Sequence, residues 1–103
     1  MKIVFENHSP EESVSAIKKN LEGRNLGNIV DFELDEDSLF VVITKIGTSR
    51  LKFNVAQSDS HTTFDLNSEK IAFSHRAFKH SVIEKLCKVI DKSSGKVVRK
   101  YGD

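Results

Sequence analysis

Cysteine occurs once in this chain of 103 residues, as Cys87, so no disulfide can form within it. That usage fits a reducing compartment. Tryptophan is absent, and tyrosine, methionine and proline occur once each. The five glycines are scattered as turn or cap residues. None belongs to a phosphate-cradling loop, and no G-x-S-x-G nucleophile motif occurs. Long apolar runs are also missing. The longest covers residues 39–43, against the roughly 20 residues of a membrane-spanning helix. The opening Met1-Lys2-Ile3-Val4-Phe5 turns polar at once with Glu6, Asn7 and His8, too short and too polar for a signal peptide. Together these absences point to a cytoplasmic protein with no membrane span.

Metal and catalytic patterns are lacking as well. One cysteine and four dispersed histidines make no zinc spacing. The acidic stretch Asp31, Glu33, Asp35, Glu36 and Asp37 has neither the glycine nor the terminal glutamate of an EF-hand loop; twelfth from Asp31 stands Val42. It reads as a turn and strand-edge charges that keep the edge soluble, or as a patch facing a partner. His80 and Cys87 lie seven apart on an expected helix, about 10 Å of rise, too far for a catalytic pair or a shared metal. His8 and His61 can approach only through the fold. The chain is therefore expected to be non-enzymatic, without cofactor or metal.

What is present suffices for one small domain, with 38% apolar and 30% charged residues. Residues 2–5 read as a strand at an edge or barely paired. Ser9-Pro10-Glu11-Glu12 reads as a helix start. Ser9 caps the first turn, Pro10 fits the first helical position, and Glu12 completes a capping box. Val14, Ile17 and Leu21 give that helix one apolar stripe, and Gly23 ends it near residue 22. Val30, Phe32 and Leu34 alternate with Asp31 and Glu33, as in a half-buried strand. A second strand covers residues 39–46, with Leu39, Val41 and Ile43 on one face and Phe40, Val42 and Ile46 on the other. Leu51, Phe53 and Val55 alternate in a third, and Phe64 and Leu66 point inward from a short fourth. A last helix over residues 75–92 carries Phe78, Val82, Ile83, Leu86, Val89 and Ile90 as its buried stripe, with Gly95 as its stop.

The expected fold is α+β, a single two-layer domain over residues 1–95. An antiparallel meander of four to five strands is covered by two helices in the order β-α-β-β-β-β-α. Residues 96–103 form a basic tail that either docks or stays disordered.

Charge is uneven along the chain. Residues 1–69 hold 7 Lys/Arg against 12 Asp/Glu, whereas residues 70–103 hold 9 against 3. Lys85, Lys88 and Lys92 fall on one side of the last helix, opposite its apolar stripe, and Arg99 lies beyond. Such a basic face suits phosphates. Against this, Glu84 and Asp91 flank Lys88 at helical spacing, and lysines near a helix C-terminus are favourable without any partner. The α-β-β-β-α order is similar to double-stranded RNA-binding domains. Yet Ser74-His75-Arg76-Ala77 offers one strong cation where that family clusters several.

The doubly apolar strand at residues 39–46 needs cover on both faces. Helices on opposite sides of the sheet would supply it. So would a homodimer sharing the outer face, or an apolar-ligand site formed by Phe40, Val42, Phe53 and Phe64.

Two stretches resemble a known family: Gly47-Thr48-Ser49-Arg50-Leu51-Lys52-Phe53-Asn54-Val55, and Phe78-Lys79-His80-Ser81-Val82-Ile83-Glu84-Lys85-Leu86. A glycine turn entering an alternating strand, then an apolar residue, Lys and Ile-Glu opening the final helix, is similar to the small bacterial polyhydroxyalkanoate-system (granule-associated) proteins. His80 stands where that pattern has glycine. The resemblance implies binding of a polyester granule surface or control of its assembly, and no catalytic residue.

The resulting expectation is a small binding or interaction module acting through a sheet or helix surface. Its partner is a protein or a second copy. An apolar ligand or granule surface, and nucleic acid through the basic helix, are the alternatives.

Overall fold

The computed structural model describes residues 1–98, and Arg99 with the rest of the tail lies outside them. Six strands form one antiparallel sheet: β1 (Lys2–Glu6), β2 (Val30–Leu34), β3 (Ser38–Thr44), β4 (Thr48–Gln57), β5 (His61–Lys70) and β6 (Gly95–Val98). Their order across the sheet is β2-β3-β4-β5-β1-β6. Helices α1 (Pro10–Leu21) and α2 (Lys79–Lys92) complete the α+β domain.

Helix α1 starts as its sequence dictates. The Glu12 N–H donates to Ser9 Oγ at 3.1 Å, and the Ser9 N–H donates to Glu12 Oε1 at 2.8 Å. Pro10, Ser13, Val14, Ile17 and Leu21 are its buried residues. Helix α2 buries Val82, Leu86, Val89 and Ile90. It begins later than expected, because Phe73–His75 forms a separate 3₁₀ turn.

Both helices pack on one face of the sheet. Their stripes join Ile3, Phe5, Val30, Phe32, Leu39, Val41, Ile43, Leu51, Phe53 and Phe64 in a single core. This overturns the expectation of helices on opposite faces covering the doubly apolar strand. The helices are also tied by a polar contact, Asn20 Nδ2 donating to Ser93 Oγ at 3.1 Å.

Two strand expectations change. Strand β1 is no edge: it pairs with β5 on one side and β6 on the other, and Ile3 and Phe5 are buried. Its two neighbours come from distant sequence, which local pattern cannot reveal. The sixth strand is the second change. Gly95 ends no fold; it opens β6, so residues 96–98 belong to the sheet. The chain makes this turn through Ser94 at φ +74°. Glycine is required next, since a Cβ at position 95 would lie 2.6 Å from Phe5 Cζ and 2.7 Å from Ile90 Cγ2.

Candidate functional site

The outer face of the sheet carries Phe40 and Val42. Phe53 and Phe64 point the other way, into the core, at 1% and 0% exposure. The four residues proposed as one apolar face are thus split between two, as the period-2 geometry of paired strands requires. Val42 is buried by its own neighbours, and Phe40 is half-buried. Val42 sits in register between Asp31 and Arg50, and the Arg50 guanidinium lies 5.0 Å from the Phe40 ring centroid. Arg50 also reaches Glu33 at 3.4 Å. A cation over an aromatic ring is favourable, and it covers part of Phe40, which stays half-buried. Ile46 is not on this face. Strand β3 ends at Thr44, and Ile46 occupies the β3–β4 turn.

The acidic residues spread out rather than converge. Asp31 and Glu33 lie on the outer face of β2, whereas Asp35, Glu36 and Asp37 occupy the β2–β3 turn. Among the described residues no group of three His, Cys, Asp or Glu side chains is placed to hold a metal ion. His8 and His61 do meet at one shallow cavity beside Ser9 and Ser58. His8 Nδ1 is engaged by the Glu6 carbonyl at 2.7 Å and His61 Nδ1 by Ser58 Oγ at 3.0 Å. His80 turns to Glu84, at 3.9 Å.

The basic helix face converges with residues that no sequence pattern had singled out. Helix α1 ends at Leu21, and the chain then runs through a 3₁₀ turn at Asn25–Asn28. This turn packs beside α2. Between them lies a cleft of about 400 Å³. Lys85, Lys88 and Lys92 line one wall, with Asp91; Arg24 and Asn25 line the other. Leu26 and the buried Val89 provide apolar surface within it. The three lysines stand at i, i+3 and i+7, the spacing that stacks side chains on one helical face. Arg24 is held in place by its Nε, which donates to the Asn20 carbonyl at 2.7 Å.

Four cations thus surround this cleft against one carboxylate, Asp91. All five side chains are exposed, and among the described residues Arg24, Lys85, Lys88 and Lys92 form no ion pair. Cations held together in excess over carboxylates attract an anion from solution. The adjoining apolar surface favours an anion that carries an apolar part. The lysines were legible as a stripe. Arg24 and Leu26 were not, because their approach to α2 is set by where α1 stops. No family model, curated protein or solved structure matches the chain.

Proposed function

We propose that this chain is a non-enzymatic binding module of the cytoplasm whose site is the cleft between the Asn25–Asn28 turn and α2. Its partner is an acidic protein segment bearing an apolar side chain. The observation that carries this reading is the set of four cations without ion pairs around the surface of Leu26 and Val89. Carboxylates of the partner would neutralise Arg24, Lys85, Lys88 and Lys92, and its apolar group would cover Leu26. The β2–β3 turn, with Leu34, Asp35, Glu36 and Asp37, has this same chemistry, so a second copy is the self-associating form of the reading.

Nucleic acid is the weaker reading. Lys85 to Lys92 spans about 10 Å of helix, Asp91 stands among the lysines, and no aromatic side chain lines the cleft for base stacking. The granule-surface reading keeps only Phe40 and Val42 on the outer face, since Phe53 and Phe64 are core.

The test is an amide NMR titration with three probes. These are a short peptide alternating Glu and Leu, a duplex oligonucleotide, and a medium-chain hydroxy fatty acid below its micelle concentration. The peptide is expected to shift amides of residues 24–26 and 85–92 saturably. Lys85→Glu with Lys88→Glu should abolish those shifts. No response at the cleft, or tighter binding of either other probe, overturns the proposal. Sedimentation of the chain alone distinguishes a second copy from a separate partner.

A further inference from the structure

The end of the sheet at the β3–β4 turn displays two large apolar side chains in water. Ile46 is 88% exposed and Phe73 is 85% exposed. They come from segments 27 positions apart that are locked together. Ser74 Oγ donates to the Ile46 carbonyl, and His75 Nε2 is 2.7 Å from the Lys45 carbonyl. The buried His75 ring also meets Ser49 Oγ at 2.6 Å, and Ser49 Oγ accepts from the Ala72 N–H at 2.8 Å. The display is therefore fixed by a buried network, not left to a loose loop.

Ile46 is also strained. Its φ is +51°, a left-handed conformation that β-branched side chains resist and asparagine or glycine tolerates. Folding stability alone would favour Asn or Gly there. An isoleucine at that point, facing water, serves nothing inside the molecule. Strain of this kind marks sites where function, not stability, sets the residue.

The surroundings say what the pair meets. Residues 44–48 and 70–79 contain Lys45, Lys70, Arg76 and Lys79 and no carboxylate. Lys79 pairs with Glu69, and Arg76 lies 5.4 Å from the Phe73 ring. Apolar side chains protruding from a turn, with Lys45 adjacent to Ile46 in the chain and Arg76 over the Phe73 ring, match the boundary between acyl chains and anionic headgroups. A peptide-binding site would instead be concave, and these two residues stand proud. We infer that Ile46 and Phe73 insert into an anionic lipid surface, with Lys45, Lys70 and Arg76 held against the headgroups. This contact rests on observations separate from the cleft.

The experiment is co-sedimentation of the full chain with vesicles of phosphatidylserine and phosphatidylcholine, and with vesicles of phosphatidylcholine alone. Binding to the mixed vesicles is expected, and much weaker binding to the neutral ones. Phe73→Ser and Ile46→Asn should each weaken it roughly tenfold or more. Arg76→Gln should weaken it about fivefold at low salt. Ile46→Asn suits the local backbone and Phe73 is outside the core, so both variants keep their fold, checked by amide dispersion. Lys85→Gln with Lys88→Gln should leave vesicle binding unchanged. Absence of binding, equal binding to neutral vesicles, or loss through the Lys85 and Lys88 variant alone would each overturn the inference. So would a mass that rises with concentration and falls back in Phe73→Ser, which would make the pair a self-association contact.

Discussion

Ser49 and His75, 26 positions apart, share a buried 2.6 Å hydrogen bond beside the β3–β4 turn. The partner of the other ring nitrogen fixes its direction. The Lys45 carbonyl can only accept, so His75 Nε2 carries the proton and donates to it. Nδ1 then accepts from the Ser49 hydroxyl, whose oxygen accepts in turn from the Ala72 N–H. Two side chains thereby tie the β3–β4 hairpin to the stretch at residues 72–75. Ser49→Ala would leave the buried Nδ1 and the half-buried Ala72 N–H without these partners, at a cost of about 1–3 kcal/mol. Urea denaturation measures it. A double-mutant cycle with His75→Phe should show coupling of about 0.5–3 kcal/mol.

Gly95→Ala tests the entry into β6. The added methyl would meet the Phe5 ring and Ile90 at under 3 Å, with both side chains fully buried. Overpacking of this kind costs about 1–3 kcal/mol. Thermal unfolding should register a lower midpoint, while Gly23→Ala, with no atom within 4 Å but φ +76°, isolates the backbone penalty alone.

The capping box makes a pH-dependent prediction. The Ser9 backbone N–H, and then its hydroxyl, hold the Glu12 carboxyl below its ordinary value. A carboxylate depressed in the folded state contributes stability that is present above its unfolded pKa. That contribution is lost as the pH falls through the folded value. Glu12→Gln can still accept from the Ser9 N–H but cannot titrate. Its urea midpoint should therefore fall less than the parent's as solutions are acidified. Ser9→Ala, which removes the cap oxygen, should cost about 1 kcal/mol at neutral pH.

Ile46→Asn should raise the unfolding free energy by about 1 kcal/mol, because asparagine accepts φ +51° more readily than a β-branched residue. Calorimetry decides it. A fall in stability would mean that the isoleucine side chain contributes to packing despite its exposure.

Lys88→Glu should leave the urea midpoint close to the parent's, within about 0.5 kcal/mol, because its side chain is an exposed helix residue outside the core. Binding of the Glu-Leu peptide should fall at least tenfold by calorimetric titration, and it should weaken in the parent as salt is raised.

Local signals carried much of this fold. Ser9, Pro10 and Glu12 marked where α1 begins, and the alternation of Val30, Phe32, Leu51 and Phe53 marked strands and their inward faces. Sequence could not say which strands flank β1. Ile3 and Phe5 are apolar whether β1 is an edge or an interior strand, and only pairing to β5 and β6 decides. Phe40 and Val42 suggested a second layer, but both helices lie on the other face, and Arg50 covers part of Phe40 from the adjacent strand, a contact set by register. The cleft was half legible. Lys85, Lys88 and Lys92 declared a helix face through their spacing, whereas Arg24 and Leu26 join them only because the turn after α1 returns to α2.

The place of β1 has a consequence for how the chain assembles. Among the described strands, β1 comes first in the chain, and it finds one neighbour in β5 and the other in the last described segment. Until Gly95–Val98 arrives, the outer rim of β1 offers unpaired amide and carbonyl groups beside Phe5. A ribosome-bound chain stalled before residue 95 would present that rim to other chains. Pairing of β6 thus covers the rim beside Phe5 and moves the edge of the described sheet out to Gly95–Val98.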